Sequence, residues 1–374
     1  MARFNLPDFN FLTPNLEEIE KEMIFMIEEE TGEKLTNNLP KRAFVKALVA
    51  YVAQQYYRVD NGLKQKLLSY AEDEPLDHIG EESETTRLDE SYATTTMLLT
   101  LSSGRTSNFK IPAGTRVVVG ENIFFATKED ITVTTEQNEI NFVMQCTEPG
   151  SFANGYLPGE INTLVDVDNI PYAISIVNTT TTSGGADVED NDNYAERIRT
   201  APSKYSTAGP DDAYIYWAKS AHQAIQDVEV DSPTPGVTRL TILLQNGELP
   251  SEEILNLVKE VCSAKTVRPL TDNVIATAPE TVSYDAEIAY YISSEKQAVA
   301  TTIQADVQTA FNTYLVWQRS KMGRDVDLTE LIARLKIAGA QRIVINSPLY
   351  AEVDKVKVAK ENVTTLTFAG IADE

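Results

Sequence analysis

The spacing of apolar residues changes twice along this chain, and these changes constrain its fold more than any other feature of the sequence. Over the first 80 residues, apolar side chains recur at three- and four-residue steps between glutamates, which predicts amphipathic helices. From residue 93 to about residue 177, short runs rich in Thr, Val and Ile are punctuated by Gly and Pro, which predicts a small all-β domain. Beyond that region, predicted strands and helices alternate. The sequence therefore predicts an α+β multidomain protein with an N-terminal helical arm, a small all-β domain and a C-terminal α/β region.

Capping signals predict the ends of the N-terminal helices. Thr13 and Pro14 predict where the first helix begins, and Thr31-Gly32 predicts where it ends. Asn38 and Pro40 predict the start of the second helix. Two such helices make a thin core, so we expect their apolar stripe to pack on another chain or on the rest of this one. The residues of this N-terminal stripe are Leu16, Ile19, Met23, Met26, Ile27, Phe44, Leu48 and Tyr51.

A glycine-containing loop ends the β-rich region. The run Thr179-Thr180-Thr181-Thr182-Ser183-Gly184-Gly185 is the clearest linker in the sequence. We predict a hinge at Gly184 and Gly185 because glycine gives the backbone extra freedom, with an ordinary ordered turn as the alternative. The predicted divisions are a helical region over residues 1–90, a β-rich domain over 91–183, an α/β domain over 184–275 and an α+β domain over 276–374.

In the C-terminal half, turn and cap residues separate the predicted elements. The run Gly209-Pro210-Asp211-Asp212 predicts a helix start, because proline suits the first helical turn and acids are favoured by the helix dipole. Pro250-Ser251 predicts another helix start. The residues expected to face inward on that helix are Ile254, Leu257, Val258 and Val261. Apolar residues at every second position over 282–290 predict a strand.

The formal net charge of -24 restricts the classes of partner. Such a chain repels phosphate backbones and anionic lipid surfaces, so nucleic acid and membrane are not expected as partners, whereas proteins with basic patches are. No window approaches the ~18 unbroken apolar residues of a membrane helix, and the N-terminus carries no secretory signal. We therefore expect the protein to stay in a cytoplasm-like space until it is assembled.

Candidate catalytic and metal-binding residues are few. Cys146 and Cys262 lie far apart without a CxxC neighbour, so two buried thiols are expected rather than a disulfide or a zinc site. His78 and His222 are isolated, and neither lies in a nucleophile motif. With 56 acidic residues, some pair of carboxylates is always available for glycosidase chemistry, so the presence of such a pair does not indicate a glycosidase. We expect no cofactor, no metal and no enzymatic activity.

The densest acidic cluster comprises Asp187, Glu189, Asp190 and Asp192. A calcium loop requires oxygen ligands at alternating positions and a glycine at the sixth, but Asp192 occupies that sixth position. We expect a solvated acidic turn that caps a helix. The neighbouring Arg197-Ile198-Arg199 is expected to form ion pairs with adjacent acids rather than to bind phosphate.

An ordered set of short motifs extends through the middle of the chain. It comprises Gly184-Gly185-Ala186-Asp187-Val188-Glu189-Asp190, Tyr194-Ala195-Glu196-Arg197-Ile198, Ser206-Thr207-Ala208-Gly209-Pro210, Asp227-Val228-Glu229-Val230, Pro235-Gly236 and Thr266-Val267-Arg268-Pro269-Leu270-Thr271-Asp272. In order and spacing, this set resembles the signature of the baseplate J-like family, found in phage tails and related contractile injection machines. The signature positions in this sequence are Glu189, Arg197, Gly209, Pro210, Pro235, Gly236, Arg268 and Pro269.

The resemblance implies an architectural role. Members of that family form the wedge of the baseplate, commonly with two copies per wedge, and pair with a second wedge protein through an N-terminal helical bundle. By this resemblance, the N-terminal stripe is the expected bundle interface. Adjacent wedges join into a sixfold ring around the central hub and spike, and the ring widens when the tail fires and the sheath contracts. The implied location is the tail baseplate, next to other baseplate proteins near hub and sheath, after assembly in the host cytoplasm.

Two other functions remain open at this point. A tail-associated hydrolase would keep its activity as an isolated protein and lose it on mutation of a single carboxylate. A peripheral receptor- or glycan-binding tail module, suggested by the β domain, would bind a cell surface on its own.

Overall fold

The structure is a computed structural model that describes residues 2–36, 40–120, 122–206 and 208–372. The predicted helix start at Asn38 and Thr207 of the motif set lie outside the described residues. The helices are α1 (Leu16–Thr31), α2 (Pro40–Lys64), α3 (Asp73–Glu82), α4 (Asn191–Thr200), α5 (Asp211–Ala221), α6 (Glu252–Cys262), α7 (Ala300–Arg319) and α8 (Leu328–Ile337). The strands are β1 (Thr94–Leu101), β2 (Phe109–Ile111), β3 (Arg116–Val119), β4 (Ile123–Thr127), β5 (Ile131–Val133), β6 (Glu139–Cys146), β7 (Thr163–Leu164), β8 (Ala173–Asn178), β9 (Ile225–Thr234), β10 (Val237–Leu244), β11 (Asn273–Thr277), β12 (Glu280–Ile292), β13 (Arg342–Ser347) and β14 (Lys357–Ile371).

The chain divides into two compact units, each built from two chain segments. The first unit comprises Met1–Arg87 and Asp190–Ala201, and the second comprises Leu88–Glu189 and Pro202–Glu374. The predicted fold class is confirmed, because helices form the N-terminal arm, a barrel-like antiparallel sheet follows, and helices and strands mix in the C-terminal region. The four-part division at residues 90, 183 and 275 stays a prediction.

In the first unit, α1 and α2 form a hairpin. The predicted start of α1 is wrong by two residues, because Asn15, not Thr13, is the N-cap, and its side chain accepts a hydrogen bond from the Glu18 N–H. The predicted end at Gly32 is confirmed, since Gly32 has a positive φ of 68° and its N–H bonds to the Glu28 carbonyl. The hairpin core consists of Leu35, Val45 and Val49 packed against Ile19, Met23, Ile24 and Ile27.

The same unit also contains α3 and α4, which pack on each other. Their core joins Leu76 of α3 to Tyr194 and Ile198 of α4, with Ala71 and Ala195 also buried. The sequence predicted only the acidic turn that caps α4, and it gave bounds for neither helix. Both are 10 residues long and carry few apolar residues, so their periodicity is weak, and they become stable by packing on each other.

In the second unit, the barrel domain contains a six-stranded antiparallel sheet among the described residues. The strand order is β7-β3-β4-β6-β1-β8, with Leu99 of β1 opposite Ile140 of β6 and Ile176 of β8. The sheet nearly closes, because Asn178 at the end of β8 exchanges backbone hydrogen bonds with Gly159 and Ile161, just before β7. Buried and partly exposed residues alternate along β1, as on a strand with one face toward the core.

The central domain packs two helices on a three-stranded sheet. Strand β10 pairs antiparallel with β9 and parallel with β11, while α5 and α6 supply Tyr214, Ala218, Ile254 and Val258 to the core. The predicted starts of both helices are confirmed, with Pro210 and Ser251 as N-caps. The predicted inward face of α6 is wrong in part. Leu257 is exposed and Cys262 is buried instead, so the face is rotated about the helix axis.

The C-terminal domain packs α7 and α8 on the sheet β13-β12-β14. Strand β12 buries Tyr284, Ala286, Ile288 and Tyr290 at every second position, as predicted. Strand β14 runs parallel to β12 and β13 runs antiparallel to it. Helix α7 contributes buried residues at three- and four-residue steps, including Ile303, Val307 and Phe311, to the same core.

Candidate interaction surfaces

Apolar side chains also cover the outside of the N-terminal hairpin. On α2, Phe44, Leu48 and Tyr51 follow one another at four- and three-residue steps, so they share one helix face, and all three are exposed. Phe44 is 65% exposed. Large contiguous patches of exposed apolar side chains are uncommon on monomeric soluble proteins and mark interaction sites. The exposed set, which we call the hairpin surface, comprises Leu16, Phe25, Met26, Phe44, Leu48 and Tyr51.

The structure divides the predicted N-terminal stripe between two environments. Ile19, Met23 and Ile27 pack against Val45 and Val49 inside the hairpin, so these three residues do not form an outer face. The other five members of the stripe are exposed. Sequence reasoning missed Phe25, which is 66% exposed beside Met26. The role of the exposed residues as an interface stays a prediction.

Polar contacts fix the connection between the two helices of the hairpin. The Arg42 guanidinium donates to the Leu35 carbonyl at 3.1 Å and forms an ion pair with Glu20 at 3.2 Å. The Glu28 carboxylate accepts a hydrogen bond from the Leu35 N–H at 2.7 Å. These bonds link both helices to the intervening segment and hold the hairpin surface in a defined arrangement.

The signature residue Arg197 has a structural place in the first unit. Arg197 is buried, donates to the Thr86 carbonyl at 2.6 Å and stacks over the Tyr194 ring at 5.6 Å. The Tyr194 hydroxyl donates to the Thr85 carbonyl at 2.7 Å. Gly80 lies against this hydroxyl so closely that a Cβ there would come within 1.9 Å of the oxygen. The α3–α4 contact therefore requires glycine at this position.

The predicted hinge lies in a closely packed segment of the second unit. Asn154 bridges Gly185 through both backbone groups, accepting from its N–H at 2.9 Å and donating to its carbonyl at 2.7 Å. A Cβ on Gly185 would lie 2.3 Å from the Gly150 carbonyl oxygen. The signature residue Glu189 continues this bracing, because its backbone N–H and its carboxylate both bond to the Leu88 backbone at 3.0 Å. Motion at Gly184 and Gly185 stays a prediction.

A buried histidine and a serine meet at the same segment. The Ser91 hydroxyl donates to the Gly184 carbonyl at 2.7 Å and lies 3.3 Å from His222 Nε2. The Ala224 N–H donates to His222 Nδ1, so the ring proton resides on Nε2, which faces the Gly184 carbonyl at 3.2 Å. In this tautomer, Nε2 donates and does not accept the proton of Ser91. The pair therefore lacks the arrangement of a serine nucleophile with its general base.

Burial lowers the pKa of His222 below its usual value of 6.5, because the charged ring loses its hydration. Below about pH 6.5 the unfolded chain takes up a proton that the folded chain does not, so the free energy of unfolding falls as the pH decreases. We expect His222→Gln to reduce this slope in urea titrations between about pH 7 and 5. His78→Gln, which removes an exposed histidine, is the control. An equal pH dependence of the free energy of unfolding in all three proteins would contradict a lowered pKa of His222.

The other signature positions converge at one end of the central domain. Gly209 adopts a positive φ of 80°, and a Cβ there would lie 2.9 Å from the Pro269 ring. The Tyr214 hydroxyl donates to the Asp272 carboxylate at 2.8 Å, and burial together with this carboxylate raises the tyrosine pKa. At the Pro235-Gly236 turn, the Gly236 carbonyl accepts a hydrogen bond from the Asn273 N–H. Glycine and proline here permit close approach of the segments at the 268–272 loop.

No group of three or more His, Cys, Asp or Glu side chains that could hold a metal occurs in the part of the chain that the structure describes. Asp190 caps α4, accepting hydrogen bonds from the N–H groups of Asp192 and Asn193, as the acidic turn predicted. Arg199 pairs with Glu196 at 2.5 Å. Over the described ranges, each helix is too short or too polar to cross a bilayer.

The comparisons of this chain with known proteins agree on one family. The sequence matches the baseplate J-like protein barrel domain over residues 96–185, the baseplate J-like central domain over 206–278 and the baseplate J-like protein C-terminal domain over 286–369. A similar curated protein is baseplate protein J of Escherichia phage P2, 29% identical over 163 residues, which make up 43% of this chain and 53% of that protein. The chain thus spans about half the length of the curated relative that it matches.

A solved structure, the cryo-EM structure of the anti-feeding prophage baseplate, sixfold symmetrised, aligns with 93% of this chain and 90% of its own at 12% identity and a TM-score of 0.37. At that TM-score the likeness carries no weight for this chain. The three domain matches lie in the order barrel, central and C-terminal, and each falls on the sheet or helix–sheet layer described above. Together with the similarity to the phage protein, they show that this chain belongs to the baseplate J-like family.

Proposed function

We propose that this chain is a structural subunit of a contractile-tail baseplate and acts by assembly rather than by catalysis. Membership of the baseplate J-like family supports the baseplate role. The observation that carries the proposal is the hairpin surface, which exposes large apolar side chains on a helical hairpin with a core of its own. Covering such a surface with another protein removes apolar area from water and is therefore favourable.

The finer proposal is a wedge subunit. Two copies would pair within a wedge and with a second wedge protein, and the hairpin surface would pack in the shared helical bundle. Wedges would join into a sixfold ring around the central hub and spike, contact neighbouring proteins near the hub and sheath, and pass on the change that triggers sheath contraction. The glycines at 184 and 185 are the proposed hinge for that change. We place the protein in the tail baseplate after its assembly in the host cytoplasm.

The direct test is co-expression of this chain with the neighbouring tail proteins, followed by light scattering and negative-stain imaging. We expect a complex with two copies per wedge or a sixfold ring. A chain that stays monomeric with every tail partner would contradict the proposal and would favour a hydrolase or a receptor-binding module. Hydrolysis of peptidoglycan by the purified protein would contradict the non-enzymatic role.

We expect Phe44→Glu or Met26→Glu to reduce the yield of this complex about tenfold or more, because each loses apolar burial of about 1.5–3 kcal/mol and brings a charge into the interface. The measurement is the amount of complex in size-exclusion chromatography with light scattering.

The matched control is Ile174→Glu, since Ile174 is as exposed as Phe44 but lies on the barrel. We expect this control to assemble normally, and all three variants to retain the Trp fluorescence of a folded second unit. Met23 is unsuitable for this test because it packs inside the hairpin. Normal complex from both hairpin variants would refute the bundle interface.

A further inference from the structure

The 268–272 loop of the central domain is held by one guanidinium. Arg268 donates through Nη1 to the carbonyl oxygens of Pro269, Leu270 and Asp272, and through Nε to that of Ser263. Pro269 fixes its own φ and packs on Gly209. The backbone of this loop is therefore rigid, although it lies at the surface.

At the tip of this rigid loop, Leu270 is 95% exposed. An apolar side chain in full contact with water has an unfavourable hydration free energy, which is relieved when the side chain enters an apolar pocket. A fixed backbone lowers the entropy lost on binding, so a leucine held in this way is preorganised for insertion. We call Leu270 on its loop the central knob.

The acidic first turn of α5 begins close to the loop that carries the central knob. Gly209 contacts Pro269, and the acidic first turn of α5, Asp211 and Asp212, begins two residues after Gly209. Both aspartates are exposed. The knob is therefore apolar with acidic residues on the side of Gly209, and it fits an apolar pocket that carries a guanidinium at its rim.

A pocket of that description lies on the C-terminal domain. It has a volume of about 490 Å³, and its lining comprises Thr309, Asn312, Thr313, Val316, Trp317 and Arg334. Arg334, which belongs to this lining, lies 5.3 Å from the Trp317 ring centroid and pairs with Glu330 at 2.7 Å, and Arg324 lies 4.0 Å from the same centroid. Since a cavity of roughly 150 Å³ admits a benzene molecule, this α7 pocket has room for a leucine side chain.

We propose that the central knob of one copy inserts into the α7 pocket of a second copy of this chain. Apolar and charged features match on the two surfaces, and Leu270 is too exposed to occupy the pocket of its own chain. Because the knob and the pocket are different surfaces, the contact is head-to-tail. Each copy therefore inserts its knob into one neighbour and receives the knob of another neighbour in its pocket. The inference rests on the proposed function, since it adds a contact between copies within the ring. A single leucine is a small contact, so it acts when other contacts hold neighbouring copies together.

The test uses disulfide trapping with full-length chains, alone at high concentration and within the co-expressed complex. Leu270→Cys and Val316→Cys variants are mixed with a mild thiol oxidant, and the linked pair is followed by non-reducing electrophoresis. The native thiols give little background, since Cys146 and Cys262 are buried and burial raises the pKa of Cys262 to about 12. We expect the mixed pair to form on the order of tenfold faster than a control pair of Leu349→Cys with Val316→Cys. Leu349 is 79% exposed but lies on another loop.

A charge variant gives an independent readout. Adding Asp212→Lys to the Leu270→Cys chain places a positive charge toward the arginine at the pocket rim, so we expect this chain to form the disulfide with Val316→Cys more slowly. We expect the same substitution in the Leu349→Cys control chain to leave its rate of disulfide formation unchanged. Trapping in the complex at the rate of the control pair would overturn the knob–pocket contact. If the complex still assembles in that case, the proposed function stands and only this contact fails; if no complex forms, the proposed function itself fails.

Discussion

Gly80→Ala lowers the free energy of unfolding of the first unit by about 3 kcal/mol, because the added methyl group has no space. Its Cβ would lie 1.9 Å from the Tyr194 hydroxyl oxygen and 2.6 Å from the Thr85 carbonyl oxygen. The second of these atoms belongs to the backbone, so α3 has to move away from α4 to accept the methyl group. Movement of α3 would also weaken the hydrogen bond from Tyr194 to Thr85, which joins the two segments of the unit.

Hydrogen–deuterium exchange is the measurement for this variant, since Trp217 and Trp317 both belong to the second unit and their fluorescence does not report on the first. We expect faster exchange in α3 and α4 and unchanged exchange in the barrel. Gly62→Ala is the matched control, because no described atom lies within 4 Å of its Cβ position in α2. Alanine there favours the helix by about 0.5–1 kcal/mol. Unchanged exchange in α3 and α4 of Gly80→Ala would contradict the close packing of Gly80 on Tyr194.

Asn178→Leu is the second change with a large expected effect, a loss of about 3–4 kcal/mol from the stability of the barrel. Asn178 is 1% exposed, and its amide holds the nearly closed edge of the sheet. Its Oδ1 accepts from the Gly159 and Ile161 N–H groups at 3.0 and 2.9 Å, and its Nδ2 donates to the Leu157 and Thr180 carbonyls at 2.9 and 3.0 Å. Leucine has a similar size but leaves these buried backbone groups without its amide.

Thermal unfolding and exchange over residues 157–161 measure the effect. The matched control is Asn162→Ala, because Asn162 is exposed and its amide, which donates to the Gly159 carbonyl and accepts from the Thr163 hydroxyl, bonds at the surface, so a change below about 0.5 kcal/mol is expected. An Asn178→Leu protein as stable as this control would show that the amide does not hold the edge of the sheet.

Local sequence patterns predicted much of the fold because they depend on interactions between residues that lie close together in the chain. The alternation in β12 reflects one buried and one open sheet face, and it is visible within 13 residues of sequence. The extent of α3 and α4 was not predicted, because Leu76 is buried by Tyr194, more than a hundred residues away in the chain. No window around Leu76 contains that information.

The candidate surfaces show the same limit. Periodicity found the apolar residues of α1 and α2, but it could not tell which of them face the partner helix and which face outward. Ile19, Met23 and Ile27 are partly buried against α2, while Phe44 and Met26 are exposed, and that division depends on how the two helices pack. Leu270 belongs to one of the family motifs. Its exposure depends on the hydrogen bonds that Arg268 makes to the loop backbone, and such bonds leave no pattern in the sequence.

The division of the first unit between two chain segments sets an order of events on the ribosome. The N-terminal hairpin contains its own small core and is able to form as soon as α2 has emerged. Helix α3 has to wait for α4, and the whole barrel segment, Leu88–Glu189, is made in between, which takes roughly ten seconds of synthesis. During that interval the buried face of α3 is uncovered, so the nascent chain is most exposed to misassociation before residue 200 is complete. A fragment ending at Arg87 would remain permanently in that state, and the two units cannot be separated by a single cut.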